Sequence, residues 1–306
     1  MNAAFHALNE GDLVGIIAPA GPAQPEQLPR VAPLFTRHGL RVRLYPGCHQ
    51  IKGYLAGPDA QRLADLHAAF ADDEVRAILC LRGGYGAMRL LDGVDVALIQ
   101  RKPKLLVGYS DITALHALLH RAGVPSLHAP MATSDLVHAG HEADAEALFG
   151  LLRGGLAAGA VMHAGSATPL RRHGTAVGTI VGGNLSLVAA LCGTPWAVMA
   201  QGAILFLEDI NEEPYRVDRL MCQLRLAGVL DAASAFLIGS FTEEVSPHDI
   251  LAEYLHPLNK PVLDAWPAGH GRPNRALPMG VTVRLDAATG RVTLLQGLTN
   301  LASPAS

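Results

Sequence analysis

The chain has 306 residues, half of them hydrophobic, enough for one large domain or two ordinary ones around a substantial core. Its 24 Lys and Arg against 27 Asp and Glu leave a formal net charge of -3. No basic block is longer than a few residues, which argues against a nucleic-acid or membrane-surface footprint and points to a small-molecule or peptide partner. The start, MNAAFHALNEGDLVGIIAPAGP, has no basic leader followed by an apolar run, and no later run reaches the ~18 residues of a membrane span, so the expected compartment is the cytoplasm. Cys48, Cys80, Cys192 and Cys222 form no CxxC pair and read as small core residues in a reducing compartment.

From Asp12 short β-rich apolar runs alternate with helical patterns. LVGIIAP precedes a helix near Gln24 to His38, LRVRLYP a helix near Pro58 to Phe70, RAILCLRGG a helix near Ala87 to Leu91, and LLVGYS a helix from Asp111. That interval predicts an N-terminal parallel-sheet α/β domain over residues 1–150. Residues 151–175 are rich in Gly and Ala with little periodicity and are expected to be a linker. Over 176–306 the texture changes to TAVGTIVGGN, AILFLED, AFLIGSF and PVLDAWP as strands, with LSLVAALCG and VDRLMCQLRLAGVL as helices. VTVRLDAATGRVTLL closes the chain as a hairpin turning at Ala288, Thr289 and Gly290, which makes the C-terminal domain a more β-rich α/β unit.

In KLLVGYSD a strand ends at Gly108 and a helix begins at once, with Ser110 at the corner. Two readings fit. A serine before a helix is a common N-cap. A sharp strand-to-helix turn is also how a nucleophile elbow exposes a serine hydroxyl, beside free N–H groups and the positive end of the helix. The turn LRGGYG places Gly83, Gly84 and Gly86 between a buried strand and a helix. It lacks GxGxxG and GKS/GKT patterns, so it is either a tight turn, an anion-binding turn, or a second source of oxyanion donors on the same rim as Ser110.

A serine nucleophile needs a histidine base, and the base needs an acceptor to fix its tautomer. His270 lies between two glycines in DAWPAGHGRPN, where its side chain can project from a loop. In AILFLEDINEEPYR alternation puts Glu208 on the face of Ile204 and Phe206, and Asp209 on the other, so only one acid can enter a given site. Spacing does not choose between them. His116 and His120 have the i, i+4 spacing of metal ligands but no evident third ligand, and are expected to face solvent.

Taken together, LRGGYGAMRLL, VGYSDITALH, VGGNLSLVAALCGTP, ILFLEDINEEPYRVDRLMCQLRLAG and GHGRPNRALPMG resemble the LD-carboxypeptidase family of serine peptidases, in the same order and at similar spacing. The resemblance spans nearly the whole chain. It implies a cytoplasmic or self-protective, commonly dimeric enzyme without metal or cofactor, whose Ser…Glu…His triad is split between the two domains. One branch removes the terminal D-alanine of murein tetrapeptides, and a related branch inactivates microcin C, a peptidyl-nucleotide. Carried over by motif, Ser110 is the nucleophile, Glu208 the orienter and His270 the base, with the backbone of Asp111 and of the Gly83–Gly84 turn as oxyanion hole. HAPM at 128–131 departs from the expected HGPM at Ala129.

Residues 150–175 contain no Phe, Tyr or Trp to stack on a nucleobase, which favours the murein tetrapeptide, while Trp196 and Trp266 leave the peptidyl-nucleotide open. Arg82, Arg216 and Arg275 are candidate clamps for a terminal carboxylate. From other classes, the Gly83–Gly86 turn could serve a non-catalytic nucleotide- or phosphate-binding protein. A cysteine-dependent amidotransferase relative is disfavoured by serine at the corner.

Overall fold

The alternating apolar runs are realised as two sheets in this computed structural model, which describes residues 5–242 and 246–300. The first half contains β1 (Phe5–His6), β2 (Leu13–Ile17), α1 (Val31–Arg37), β3 (Arg41–Leu44), α2 (Asp59–Ala71), β4 (Val75–Cys80), α3 (Val96–Arg101), β5 (Leu105–Gly108), α4 (Thr113–Arg121), β6 (Ser126–His128) and α5 (Glu142–Gly154). The second contains β7 (Val161–His163), β8 (Thr175–Asn184), α6 (Leu185–Ala190), β9 (Ile204–Asp209), α7 (Pro214–Leu226), α8 (Val229–Ala232), β10 (Ala235–Phe241), α9 (His248–Leu255), β11 (Val262–Leu263), β12 (Leu277–Met279), β13 (Thr282–Asp286), β14 (Arg291–Leu294) and β15 (Thr299–Asn300).

In the first sheet β3, β2, β4, β5 and β6 run parallel in that order. The near-continuous apolar runs of β2, β4 and β5 are buried, as a sheet covered on both faces requires. Strand order reverses between β2 and β4, and in open parallel sheets the crevice outside the carboxyl ends at such a reversal is where ligands bind. There the loops after the two strands meet, the Gly21 N–H donating to the Gly83 carbonyl at 3.0 Å.

The second sheet runs β11-β10-β9-β8-β13-β14-β7, with β8 to β11 parallel and the rest antiparallel. Together the sheets form an N-terminal parallel α/β unit and a second, more β-rich α/β unit. Alternation along β9 is borne out by packing. Leu205 and Leu207 enter the core shared with α6, α7 and α9, whereas Ile204 and Phe206 enter the opposite one, shared with Leu277 and Met279.

Those last two residues belong to β12, which lies late in the chain yet pairs antiparallel with β6 and so completes the first sheet. The face of β9 that carries Phe206 and Glu208 is thereby turned towards the N-terminal sheet.

Local departures from expectation have local causes. The helix expected near Gln24 to His38 is a 3-10 turn over Pro25–Arg30 followed by α1, because Pro29 removes a backbone donor mid-way. The segment near Ala87 is also 3-10, Ala87–Gly93. Residues 151–175 hold the end of α5 and β7, an edge strand of the second sheet too short and exposed to show periodicity. All four cysteines are free thiols, Cys48 and Cys80 buried and the other two partly exposed. No helix among the described residues is long and apolar enough to cross a membrane.

Candidate active site

The last residue of β5 is Gly108, where the chain is crowded: a Cβ would stand 3.0 Å from Ile112 Cγ1 and 3.1 Å from Cys80 Cβ. Tyr109 is extended, and Ser110 then takes φ +63° before a 3-10 turn leads into α4. A left-handed conformation costs a residue with a Cβ roughly 1–2 kcal/mol, so the corner is a strained elbow. The hydroxyl caps no helix. Its partner is His270 Nε2, 3.1 Å away, and of the two readings of this serine the capping one is not realised.

His270 Nδ1 lies 2.7 Å from Glu208 Oε2, which also accepts the His270 backbone N–H at 3.3 Å. With Nδ1–H donating to the carboxylate, Nε2 is left to accept from the serine. The flanking glycines make this approach possible. A Cβ on Gly269, at φ +113°, would lie 2.6 Å from Glu208 Oε2, and one on Gly271 would lie 2.7 Å from Ser240 Cβ. Asp209, on the other face of β9, accepts from the Asn184 amide and from Ser186, and takes no part in this chain.

Glu208 is completely buried. Burial pushes its carboxyl up, but the His128 and His270 imidazoles beside it outweigh burial and bring it down to about 2, so it is an anion at neutral pH. For His270, burial favours the neutral ring, while the hydrogen bond and charge of Glu208, helped by Asp209 and Asp135, more than offset it; the net shift is upward. The Tyr109 ring packs 4.8 Å from the His270 ring, its hydroxyl donating to Asp135 at 3.0 Å, and Asp135 in turn accepts the Met131 N–H at 2.9 Å. Tyr109 and Asp135 thus hold one side of the imidazole. Neither stood out in the sequence, where a tyrosine before the elbow and an aspartate in ATSDL carry no spacing signal.

The glycine turn lies against the serine. A Cβ on Gly83 would meet Ser110 Cβ at 2.9 Å and Oγ at 3.1 Å, and Gly84 follows at φ +111°. The Asp111 carboxylate ties the two loops together by accepting the Ala87 N–H at 2.7 Å, and burial raises its pKa to about 6. One residue therefore supplies backbone next to Ser110 and a side chain that fixes the turn. The two loops are thereby fixed side by side, with the Gly83–Gly84 turn in close contact with Ser110.

The structure corrects the expectation for His116. It is buried, with Nδ1 2.7 Å from Ser126 Oγ and Nε2 2.9 Å from the Gly108 carbonyl, because α4 is buried along Thr113–Leu119 between β6 and β8. Burial, helped by nearby His128, lowers its pKa to about 3, so the neutral ring donates to Gly108 and braces the strand end before the elbow. Of the arginines, Arg216 is paired with Glu212, and Arg275 donates to the Ala143 carbonyl at 2.9 Å. Arg82, beside the glycine turn, donates to the Pro22 carbonyl at 3.2 Å. A further link went unseen in the sequence: the Asn184 N–H donates to Thr113 Oγ1 at 3.0 Å, where Gly183 lets β8 pass against the start of α4.

The chain matches the sequence model of the LD-carboxypeptidase N-terminal domain over residues 14–129 and that of the LD-carboxypeptidase C-terminal domain over residues 177–285. It belongs to the LD-carboxypeptidase family. Within that family it is 37% identical to a probable murein peptide carboxypeptidase of Bacillus subtilis, the alignment covering 95% of this chain and 94% of the relative. It is 36% identical to the murein tetrapeptide carboxypeptidase of Pseudomonas aeruginosa, over 89% and 92% of the two chains. Among solved structures, muramoyltetrapeptide carboxypeptidase from Oxalobacter formigenes superposes with a TM-score of 0.82 at 29% identity, covering 95% of this chain and 100% of that one. The microcin self-immunity protein MccF superposes at 0.86 and 22% identity, over 97% and 100%, and shows the shared fold. This LD-carboxypeptidase family member is accordingly a peptidase of the carboxypeptidase type.

Proposed function

We propose that the protein is a serine LD-carboxypeptidase that releases the terminal D-alanine of murein tetrapeptide. In this reading His270 Nε2 takes the Ser110 proton as Oγ attacks the carbonyl joining an L-configured centre to the terminal D-residue. The oxyanion is held by backbone N–H groups of Asp111 and of the Gly83–Gly84 turn. The C–N bond then breaks, His270 returns the proton to the departing amine, and water, deprotonated by the same histidine, hydrolyses the ester. Glu208 stays ionised throughout and holds the Nδ1–H tautomer.

The observation that carries the reading is the hydrogen-bonded chain from Ser110 Oγ through His270 to Glu208, set on a strained serine. The substrate is supported by relatives named for murein peptides at 36% and 37% identity, against 22% for MccF. Cytoplasmic location, a homodimeric state and work without a metal or cofactor follow from the family resemblance rather than from a feature of the site. Mass spectrometry of protein incubated with murein tetrapeptide, beside Ser110→Ala, tests the proposal. Loss of one alanine by the wild type alone is expected. A tetrapeptide left intact by both sinks the substrate assignment and makes a peptidyl-nucleotide the next candidate.

A further inference from the structure

His128 ends β6, paired across the sheet with Gly108 of β5 and with Leu277 of β12. The side chain is completely buried, and neither ring nitrogen has a hydrogen-bond partner. The ring stands edge-on to Phe206 at 5.0 Å and to Tyr109 at 5.5 Å, with His116 6.2 Å away. Its nearest polar neighbour is Glu208 Oε1, 3.8 Å from Nε2. That oxygen is itself buried and without a hydrogen-bond partner, since both contacts from His270 go to Oε2. Two orphaned polar atoms therefore face one another across the junction of the sheets, each desolvated with no partner to offset the loss of water.

We propose that His128 is a positioning residue for the peptidase reaction, its Nε2–H donating to Glu208 Oε1 so that the carboxylate is held from both sides. The inference rests on the serine-peptidase reading of the site and on no particular substrate. The 3.8 Å separation is too long for a hydrogen bond, and closing it by just under 1 Å makes one. Such a bond suits the chemistry. A carboxylate with one oxygen on His270 and no donor on the other is free to rotate, and rotation loosens the orientation in which Nε2 acts as base. It also suits the topology. Ser110 and His128 both come from the N-terminal sheet, so the carboxylate carried by β9 is gripped by the same framework that carries the nucleophile.

The titratable groups around the pair are His270, Asp209 beside it on β9, Asp135 and Tyr109 against His270, and His116 behind His128. His116 is committed to Ser126 and Gly108, Tyr109 to Asp135, and Asp209 to Asn184 and Ser186, which leaves His128 as the group facing Oε1.

The test uses the rate at which a fluorophosphonate labels Ser110, which needs the activated serine but not the natural substrate. His128→Phe keeps a ring between Phe206 and Tyr109 but removes the donor, and is expected to slow labelling about 10–100-fold, as outer partners that orient histidines do elsewhere. His128→Gln offers an amide donor and is expected to recover most of that loss. In His128→Phe the acid limb of the rate–pH profile moves up, because a carboxylate without its second donor binds the imidazolium more strongly. Equal losses in both variants with an unmoved limb overturn the proposal, as does unchanged labelling in His128→Phe. Should His128→Phe not fold, ¹⁵N-histidine NMR of the unmutated protein decides: a protonated Nε2 on His128 is required, and a bare Nε2 contradicts it. Inertness to murein tetrapeptide with labelling that still depends on His128 removes the proposed substrate and leaves this inference standing.

Discussion

The two halves contribute opposite kinds of chemistry to one site. The N-terminal sheet supplies a neutral hydroxyl and backbone dipoles, Ser110 at φ +63° with the Gly83–Gly84 turn pressed against it. The second half supplies the ionised Glu208, wholly buried on β9, and His270, on the loop between β11 and β12 whose glycines admit the carboxylate. Neither half has a working constellation alone. In the proposed reaction the geometry of Ser110 is a property of a strand end, whereas its activation depends on how the sheets dock, where β12 pairs with β6 and Asn184 bonds Thr113.

The comparison breaks most sharply at the nucleophile. Ser110→Ala is expected to abolish triad-dependent turnover, by as much as ~10⁶-fold, with binding retained. A Ser110→Ala protein retaining more than a small fraction of the wild-type rate would remove the N-terminal half's claim to the chemistry. On the other side, Glu208→Gln keeps shape but loses the charge that selects the Nδ1–H tautomer, and is expected to lower kcat by about 10⁴-fold. The same substitution separates the halves in stability. A carboxyl held at about 2 against an ordinary 4.5 contributes stability that is complete above 4.5 and lost as pH falls towards 2. Acid unfolding of Glu208→Gln should therefore be flatter across that window, measured by circular dichroism.

Next in size is the oxyanion side. Gly83→Ala drives a methyl to within 2.9 Å of Ser110 Cβ and is expected to cost about 10²–10³-fold in kcat, the scale of a lost oxyanion donor, with KM much less affected. His270 sets the pH response. Only the neutral ring can act as base, and its pKa is raised above 6.5, so kcat/KM is expected to fall on the acid side through a limb above 6.5. A limb below 6.5 would mean that Glu208 does not reach the imidazole in solution. The smallest effect lies at the seam: Thr113→Val leaves the buried Asn184 N–H without its acceptor and should cost about 1–3 kcal/mol of stability by denaturant unfolding, with little change in the intrinsic chemistry.

How far the sequence could be read follows the same division. The parallel sheet and the split of β9 into two faces were legible, because buried strands and period-two alternation are local patterns, whereas at Ser110 the residues alone left cap and elbow both open. The motif resemblance then chose Glu208 over Asp209, and the structure puts Glu208 against His270 while Asp209 is tied to Asn184 and Ser186. Contacts made by docking were not legible. Leu277 and Met279 read as part of the second half but complete the first sheet, and β7 hid in a Gly- and Ala-rich stretch. His116 looked like an exposed helical histidine because its two partners, Ser126 and the Gly108 carbonyl, lie on strands that no spacing along α4 reveals.

The central claim is that a serine at the end of a first-sheet strand is activated by a carboxylate on the second sheet and a histidine on the loop that joins the two. Its most direct test is peptide mapping after treatment with a fluorophosphonate, wild type beside His270→Ala. The predicted result is a single adduct on Ser110 within the tryptic peptide Leu105–Arg121, absent from the histidine variant. An adduct on another residue, or one on Ser110 that forms as fast without His270, would contradict the account.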